Sequence, residues 1–192
     1  MDDAVARGIA GRCTPEQARV IVVDPRRGLL GDVPDTHLIG YASTAEQAGT
    51  AARTLAESLR KRLPGREVTP RALRERSWWR GPEVYLLVDD YDLVAPPGTA
   101  AHPLLPIAEF LPQAKDVGLH LIVCRRTGGA ARALFESVIQ RIRELGSPGI
   151  VGAGSRDEGV LLGTTRPTAM PPGRGVIVGR RFGTQLIQIA DL

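Results

Sequence analysis

Apolar residues along this chain follow two different periods. Short runs that are apolar at nearly every position occur at Ala18-Arg19-Val20-Ile21-Val22-Val23-Asp24, at Glu83-Val84-Tyr85-Leu86-Leu87-Val88 and from Leu119 to Cys124. Such runs suit parallel strands covered on both faces. Between them the spacing turns helical. Ala48, Ala52, Leu55, Ala56 and Leu59 share one face of a helix that Thr44 caps and Pro64-Gly65 stops, near Leu63. Thr69-Pro70 opens a shorter helix by pairing a cap with a first-turn proline. Residues 2–11 read as the last turns of a helix, Pro25 to Gly31 as a loop and His37 to Tyr41 as a short strand. After a loop at Pro96-Pro97-Gly98, the pattern predicts helix over 103–116, then over about 128–135 and 136–145. Ile150-Val151 is a short strand, and Ser155 to Gly163 is a loop with a small helical turn. Val176-Ile177-Val178 and Gln185 to Ile189 predict a terminal hairpin turning at Arg181-Phe182-Gly183-Thr184. Strand and helix alternate, which predicts a single α/β domain over residues 1–192 with a mostly parallel sheet.

Composition narrows the picture. The 192 residues are 43% hydrophobic, enough for a buried core. No stretch is long and apolar enough to span a bilayer, and Met1-Asp2-Asp3 opens no secretory signal. Cys13 and Cys124 lie far apart without metal-ligand spacing, so both are expected as reduced thiols, with Cys124 a small core residue. The net charge of +4 rests on arginine, since Lys61 and Lys115 are the only lysines. The arginines are scattered among acidic neighbours, as at Arg71, Arg74, Glu75 and Arg76, and aromatic residues make up 4%. That pattern describes solvated helix faces, and no specific nucleic-acid partner is expected.

Candidate chemistry gathers where the run from Val84 to Val88 ends in Asp89-Asp90. A buried strand that delivers carboxylates to the edge of a parallel sheet can orient water on Mg²⁺ beside a nucleotide. The companion would be a loop Gly-x-x-x-x-Gly-Lys-Ser/Thr, whose amides and ammonium neutralise the phosphates. Lys61 follows Arg60 and Lys115 follows Ala114, neither with the glycines, while Gly152-Ala153-Gly154-Ser155 has no lysine. The cradle is absent from these residues, and ATP is not expected to bind them alone.

These segments resemble the FtsK/SpoIIIE-type ATPases, and among them the C-terminal ATPase domain of the type VII (ESX) secretion motor of actinobacteria. The resemblance is carried by Thr14 to Asp24, Trp78 to Asp92, Leu104-Leu105-Pro106 and Leu111 to Leu121. It continues through Arg143 to Pro148, Ser155 to Gly159 and Pro171 to Gly175, in order over nearly the whole chain. The resemblance implies an additional-strand, RecA/FtsK-like P-loop NTPase fold with flanking helices and a C-terminal β-hairpin. The Walker A strand and loop would precede residue 2, so the chain is expected to be an N-terminally truncated domain. Loss of an inner strand would leave two strands with an unpaired edge, so the sheet is expected either to close the gap by shifting strands or to self-associate.

Residue by residue, Asp89 matches the Walker B aspartate and would hold Mg²⁺ once a Walker A segment is supplied. Asp90 stands where active members carry glutamate, one methylene longer, which implies a degenerate site. Arg125 and Arg126 replace the polar pair that senses phosphate in DNA-translocating members and are candidates to contact phosphate. ATP and Mg²⁺ are thus cofactors of the family. The resemblance further implies a place at the cytoplasmic face of the membrane, beside other ATPase domains of the motor. It also implies docking of the C-terminal signal of a secreted helical-hairpin heterodimer. Trp78 and Trp79 are candidates for an apolar docking patch, because adjacent bulky residues cannot both face one core; the alternative is that one is core and the other covers a neighbouring domain. The competing expectations are an active ATPase when intact and an FtsK-like DNA translocase.

Overall fold

The computed structural model describes residues 2–95 and 102–189, so the loop expected at Pro96-Pro97-Gly98 lies outside the described residues. Two compact units are present, one formed by Asp2–Cys124 and one by the residues from Arg125 onward. The first contains α1 (Asp2–Arg12), β1 (Ala18–Val23), β2 (Leu38–Ala42), α2 (Ala45–Arg60), α3 (Pro70–Glu75), β3 (Glu83–Val88) and α4 (Tyr91–Val94). It closes with α5 (Leu105–Ala108), a 3₁₀ turn (Leu111–Gln113), α6 (Ala114–Val117) and β4 (Leu119–Val123). The second holds α7 (Ala130–Ala133), α8 (Ser137–Glu144), β5 (Gly149–Val151), a 3₁₀ turn (Arg156–Glu158), β6 (Arg174–Gly179) and β7 (Gly183–Gln188).

In the first unit four strands pair in parallel in the order β2-β1-β3-β4. The register aligns Val20 with Tyr85, Val22 with Leu87 and Leu87 with Ile122. Alternation then sends Val20, Val22 and Leu87 to one face, where they pack with Ala6 and Ile9 of α1. The opposite face takes α2, which buries Ala48, Ala52, Leu55, Ala56 and Leu59. Each of the two leucines contributes roughly 1.5–3 kcal/mol by leaving water. Thr44 caps α2 as the spacing predicts, its hydroxyl accepting the Gln47 amide at 3.2 Å. Thr69 does the same for α3.

Over 103–116 the expected helix is instead three short pieces, with Pro106 in the first turn of α5 and Pro112 in the 3₁₀ turn. A proline carries no amide donor, so a continuous ladder cannot pass through either position. Cys124 is half-buried rather than a core residue, and Cys13 is too; both are free thiols. The cause is position: β4 ends its sheet, and four of its five residues are only partly covered.

The second unit carries an antiparallel sheet in the order β5-β6-β7. The expected hairpin is there with longer strands, turning through Arg180, Arg181 and Phe182 into Gly183, whose φ of 70° suits glycine. Almost every residue of β7 is exposed, Leu186 to 64%. Among the described residues β4 has a strand partner on one side only, and so has β5.

Candidate functional site

Parallel strands all point the same way, so β1 and β3 bring their terminal carboxylates to one edge of the sheet. Asp24 follows β1 and is fully buried. Its Oδ2 accepts the Leu29 amide and the Tyr41 hydroxyl, each at 2.7 Å. Burial alone would raise the Asp24 pKa. The Leu29 amide, the Tyr41 hydroxyl and the amides of Gly28 and Arg27 together outweigh it and hold the carboxyl below its ordinary value. Tyr41 is pushed up, first by burial and then by the adjoining carboxylate.

Asp89 continues β3. Its amide donates to the Val23 carbonyl at 2.9 Å and its Oδ1 accepts the Asp90 amide at 2.8 Å. Asp90 sits in the left-handed region with φ 42° and ψ 49°, a conformation costing a non-glycine residue about 1–2 kcal/mol. Its Oδ2 lies 3.1 Å from Nε of Arg26, and the carboxylate side chain is 14% exposed. Tyr91, buried at the start of α4, donates its amide to the Cys124 carbonyl at 2.9 Å and hydrogen-bonds His102 through its hydroxyl.

Among the described residues this edge carries carboxylates and no lysine that could neutralise a phosphate. The carboxylates are engaged by amides, a phenol and a guanidinium of the same chain. Among the described residues no group of three His, Cys, Asp or Glu side chains is disposed to hold a metal ion. Both lysines are misplaced for phosphate. Lys61 closes α2, which runs back from the end of β2, and Lys115 lies just before β4 begins. Each therefore belongs to the opposite, N-terminal edge of the sheet.

The other expected site residues fall as follows. Arg125 follows β4 half-buried, with its Nε donating to the Arg126 carbonyl at 3.3 Å. Arg125 and Arg132 act electrostatically on Glu158, whose carboxylate accepts the Gly129 amide at 2.8 Å and the Ala131 amide at 3.4 Å. Those amides, ahead of the two arginines, lower the Glu158 pKa. Trp78 and Trp79 are both half-buried, and each indole N–H donates to a backbone carbonyl at 2.7 Å, Trp78 to Arg62 and Trp79 to Asp116. The Trp79 ring also carries the Arg62 guanidinium 4.5 Å above it. The pair fastens the ends of α2 and α6. Asp24, Tyr41 and Arg26 were not singled out from the sequence, although Val23-Asp24 repeats the signal of Val88-Asp89: an apolar run closed by a carboxylate.

On the α2 face of the sheet lies an open groove of about 740 Å³. One wall is α2, through Gln47, Thr50, Ala51, Thr54, Ser58 and the following Arg62. Ile21, Ile39, Gly40 and Ala42 of β1 and β2 form the floor, with Arg19, Pro82 and Val84 at the far end. The groove exists because α2 meets the sheet through small residues and Gly40 contributes no side chain. Ile39, passed over where the β1–β2 register shifts, is 52% exposed.

A parallel sheet flanked by helices, with a buried strand running into paired carboxylates, places the chain in the class of P-loop ATPase domains. Structural comparison agrees. Over 98% of this chain it superposes with a TM-score of 0.92 and 49% identity on 33% of a structure described as Thermomonospora curvata EccC (ATPases 2 and 3) in complex with a signal sequence peptide. A structure described as an ATPase matches 99% of the chain at 30% identity and a TM-score of 0.86, and 73% of that protein is covered. In sequence the chain is 50% identical over 186 residues, 97% of its length, to the ESX secretion system protein EccC of Thermomonospora curvata. It spans only 14% of that relative. No protein-family model matches. The chain belongs to the EccC family of type VII (ESX) secretion ATPases.

Proposed function

We propose that this chain is a non-hydrolysing docking domain of a type VII secretion motor. In this reading it works at the cytoplasmic face of the membrane beside other ATPase domains and receives the C-terminal signal of secreted helical-hairpin substrates. The observation that carries the reading is the state of the carboxylate edge. Asp24, Asp89 and Asp90 are tied to groups of the same chain, and both lysines belong to the other edge. A site so arranged retains the frame of the ATPase fold without its phosphate chemistry. The relative solved with a signal sequence peptide supports the docking half of the proposal.

The test is calorimetry on the 192-residue chain with that signal sequence peptide, a scrambled copy and ATP–Mg²⁺ as separate titrants. Heat with the peptide alone is the expected result. Release of phosphate from ATP that disappears in Asp89→Ala would overturn the non-hydrolysing reading, and no heat with the peptide would remove docking.

A further inference from the structure

We propose that β7 is a dimerisation edge. It pairs with β7 of a second copy of this chain, antiparallel and two-fold symmetric about Leu186, so that the two antiparallel sheets become one. This pairing needs no peptide and does not depend on docking.

Register decides which backbone groups β7 can offer. In an antiparallel pair, residues that hydrogen-bond to the partner strand alternate with residues whose N–H and C=O point the other way. The β6–β7 register sets Arg174 against Gln188, Val176 against Leu186 and Val178 against Thr184. One residue beyond, the Ile189 amide donates to the Gly173 carbonyl at 2.8 Å, which marks the odd-numbered positions of β7 as the bonded ones. Thr184, Leu186 and Gln188 therefore direct their N–H and C=O outward. On that side β7 has no strand partner among the described residues.

Nothing on β7 keeps another strand away. Edge strands that stay single are blunted by a charge, a proline or a bulge. From Gly183 to Gln188 there is neither charge nor proline, and the register with β6 runs without a slip. Leu186 stands 64% exposed on this strand, beside Val176 of β6. The other edge of the same sheet, β5, is three residues long and offers a shorter ladder.

A second β7 is the strand that fits. A rotation of 180° about Leu186 places Leu186 opposite its own copy and Thr184 opposite the other copy's Gln188. All three outward-facing positions then meet outward-facing positions, and each residue pair exchanges two hydrogen bonds. A shift of two residues would bring the turn into the ladder and lose pairs. A shift of one would set outward groups against inward ones. The side chains agree with the backbone. The two Leu186 side chains meet each other next to Val176, and Thr184 meets an amide. Charge sets the direction. Arg180 and Arg181 lie in the turn before Gly183, so an antiparallel pair puts the two basic turns at opposite ends. At about 3.4 Å per residue they stand roughly 30 Å apart, well beyond the screening length of about 8 Å. A parallel pair would bring them together. The contact is one strand wide, so the dimer is weak and forms with rising concentration.

The experiment is sedimentation equilibrium of the full chain from about 10 μM to about 1 mM, read beside amide-resolved hydrogen exchange. A monomer–dimer equilibrium is the expected result, insensitive to salt because β7 is uncharged. Leu186→Lys sets two like charges opposite each other and is expected to weaken the dimer at least tenfold. Leu186→Pro removes an outward donor without touching the β6 ladder and is expected to do the same. Circular dichroism of both variants should match the parent, since the position is exposed at an edge. Exchange of the Thr184, Leu186 and Gln188 amides should slow as concentration rises, while Gln185 and Ile187 are already protected. A chain that stays monomeric throughout overturns the proposal. So does a dimer that both variants leave within twofold, or one whose new protection falls on β4 or β5 and leaves those three amides unchanged.

Discussion

Two places on one sheet differ in how their polar and apolar groups are satisfied. At the C-terminal edge three carboxylates have partners in the same chain, Asp24 an amide and a phenol on Oδ2, Asp89 the next amide and Asp90 a guanidinium, while the buried Oδ1 of Asp24 has none. Along the α2 flank, Ile39 is half exposed over an open floor, while Arg19 and Arg62 each donate to a carbonyl and interact with Glu16 and Glu83 respectively. Groups held by partners of the same chain stabilise the fold; apolar floor left exposed offers surface to a ligand. On the proposed reading, the position that the family uses for chemistry serves the fold here, and docking uses another surface.

The comparison breaks most decisively at Asp24. Removing it in Asp24→Ala strands the Leu29 amide and the Tyr41 hydroxyl in the interior, and is expected to cost about 3 kcal/mol by urea unfolding. Thr54→Trp, at the exposed lip of the groove, should stay within about 0.5 kcal/mol of the parent. If Asp24→Ala costs no more than Thr54→Trp, the edge is not structural.

The same contrast has a pH signature. The folded pKa of Asp24 is depressed, against burial, by its hydrogen bonds. Glu83 is depressed against burial by His120 and then Arg76. A depressed carboxylate contributes its stability above the unfolded pKa, near 4, and loses it as pH falls through the folded value. Stability should thus hold from about pH 7 to 5 and decline below about pH 4, with a shallower decline in Asp24→Asn. Peptide affinity, which does not involve Asp24, should show no such shared loss between the two proteins.

Smaller effects sharpen the picture. Trp78→Phe keeps the ring and deletes the donor to the Arg62 carbonyl, and should cost about 1 kcal/mol in unfolding experiments. Arg26→Ala is expected to change stability by less than about 1 kcal/mol, since the guanidinium is 57% exposed. It should also release no phosphate from ATP. Appearance of ATP hydrolysis in that variant would mean the edge is latched rather than retired.

Much of the fold was legible because the signals were local. Thr44 and Thr69 announce helix starts through their own hydroxyls, and apolar runs closed by aspartate mark strands of a parallel sheet. Where two prolines stood inside a helical pattern, periodicity overruled chain chemistry, and the segment is broken instead. The anchoring of Trp78 and Trp79 was not legible, because adjacency says nothing of hydrogen bonds and their carbonyl partners lie 16 and 37 residues away.

By itself the sequence determined the α/β class, the carboxylates at the end of β3 and the lack of a glycine-and-lysine cradle. Each is a property of residue type and near spacing. Only the tertiary structure decided that Arg26 meets Asp90, that Tyr41 closes on Asp24 and that α2 leaves a groove beside β2. Those facts depend on parallel register and on which helix covers which face. Both are fixed by packing between segments far apart in the chain, where no local pattern reports.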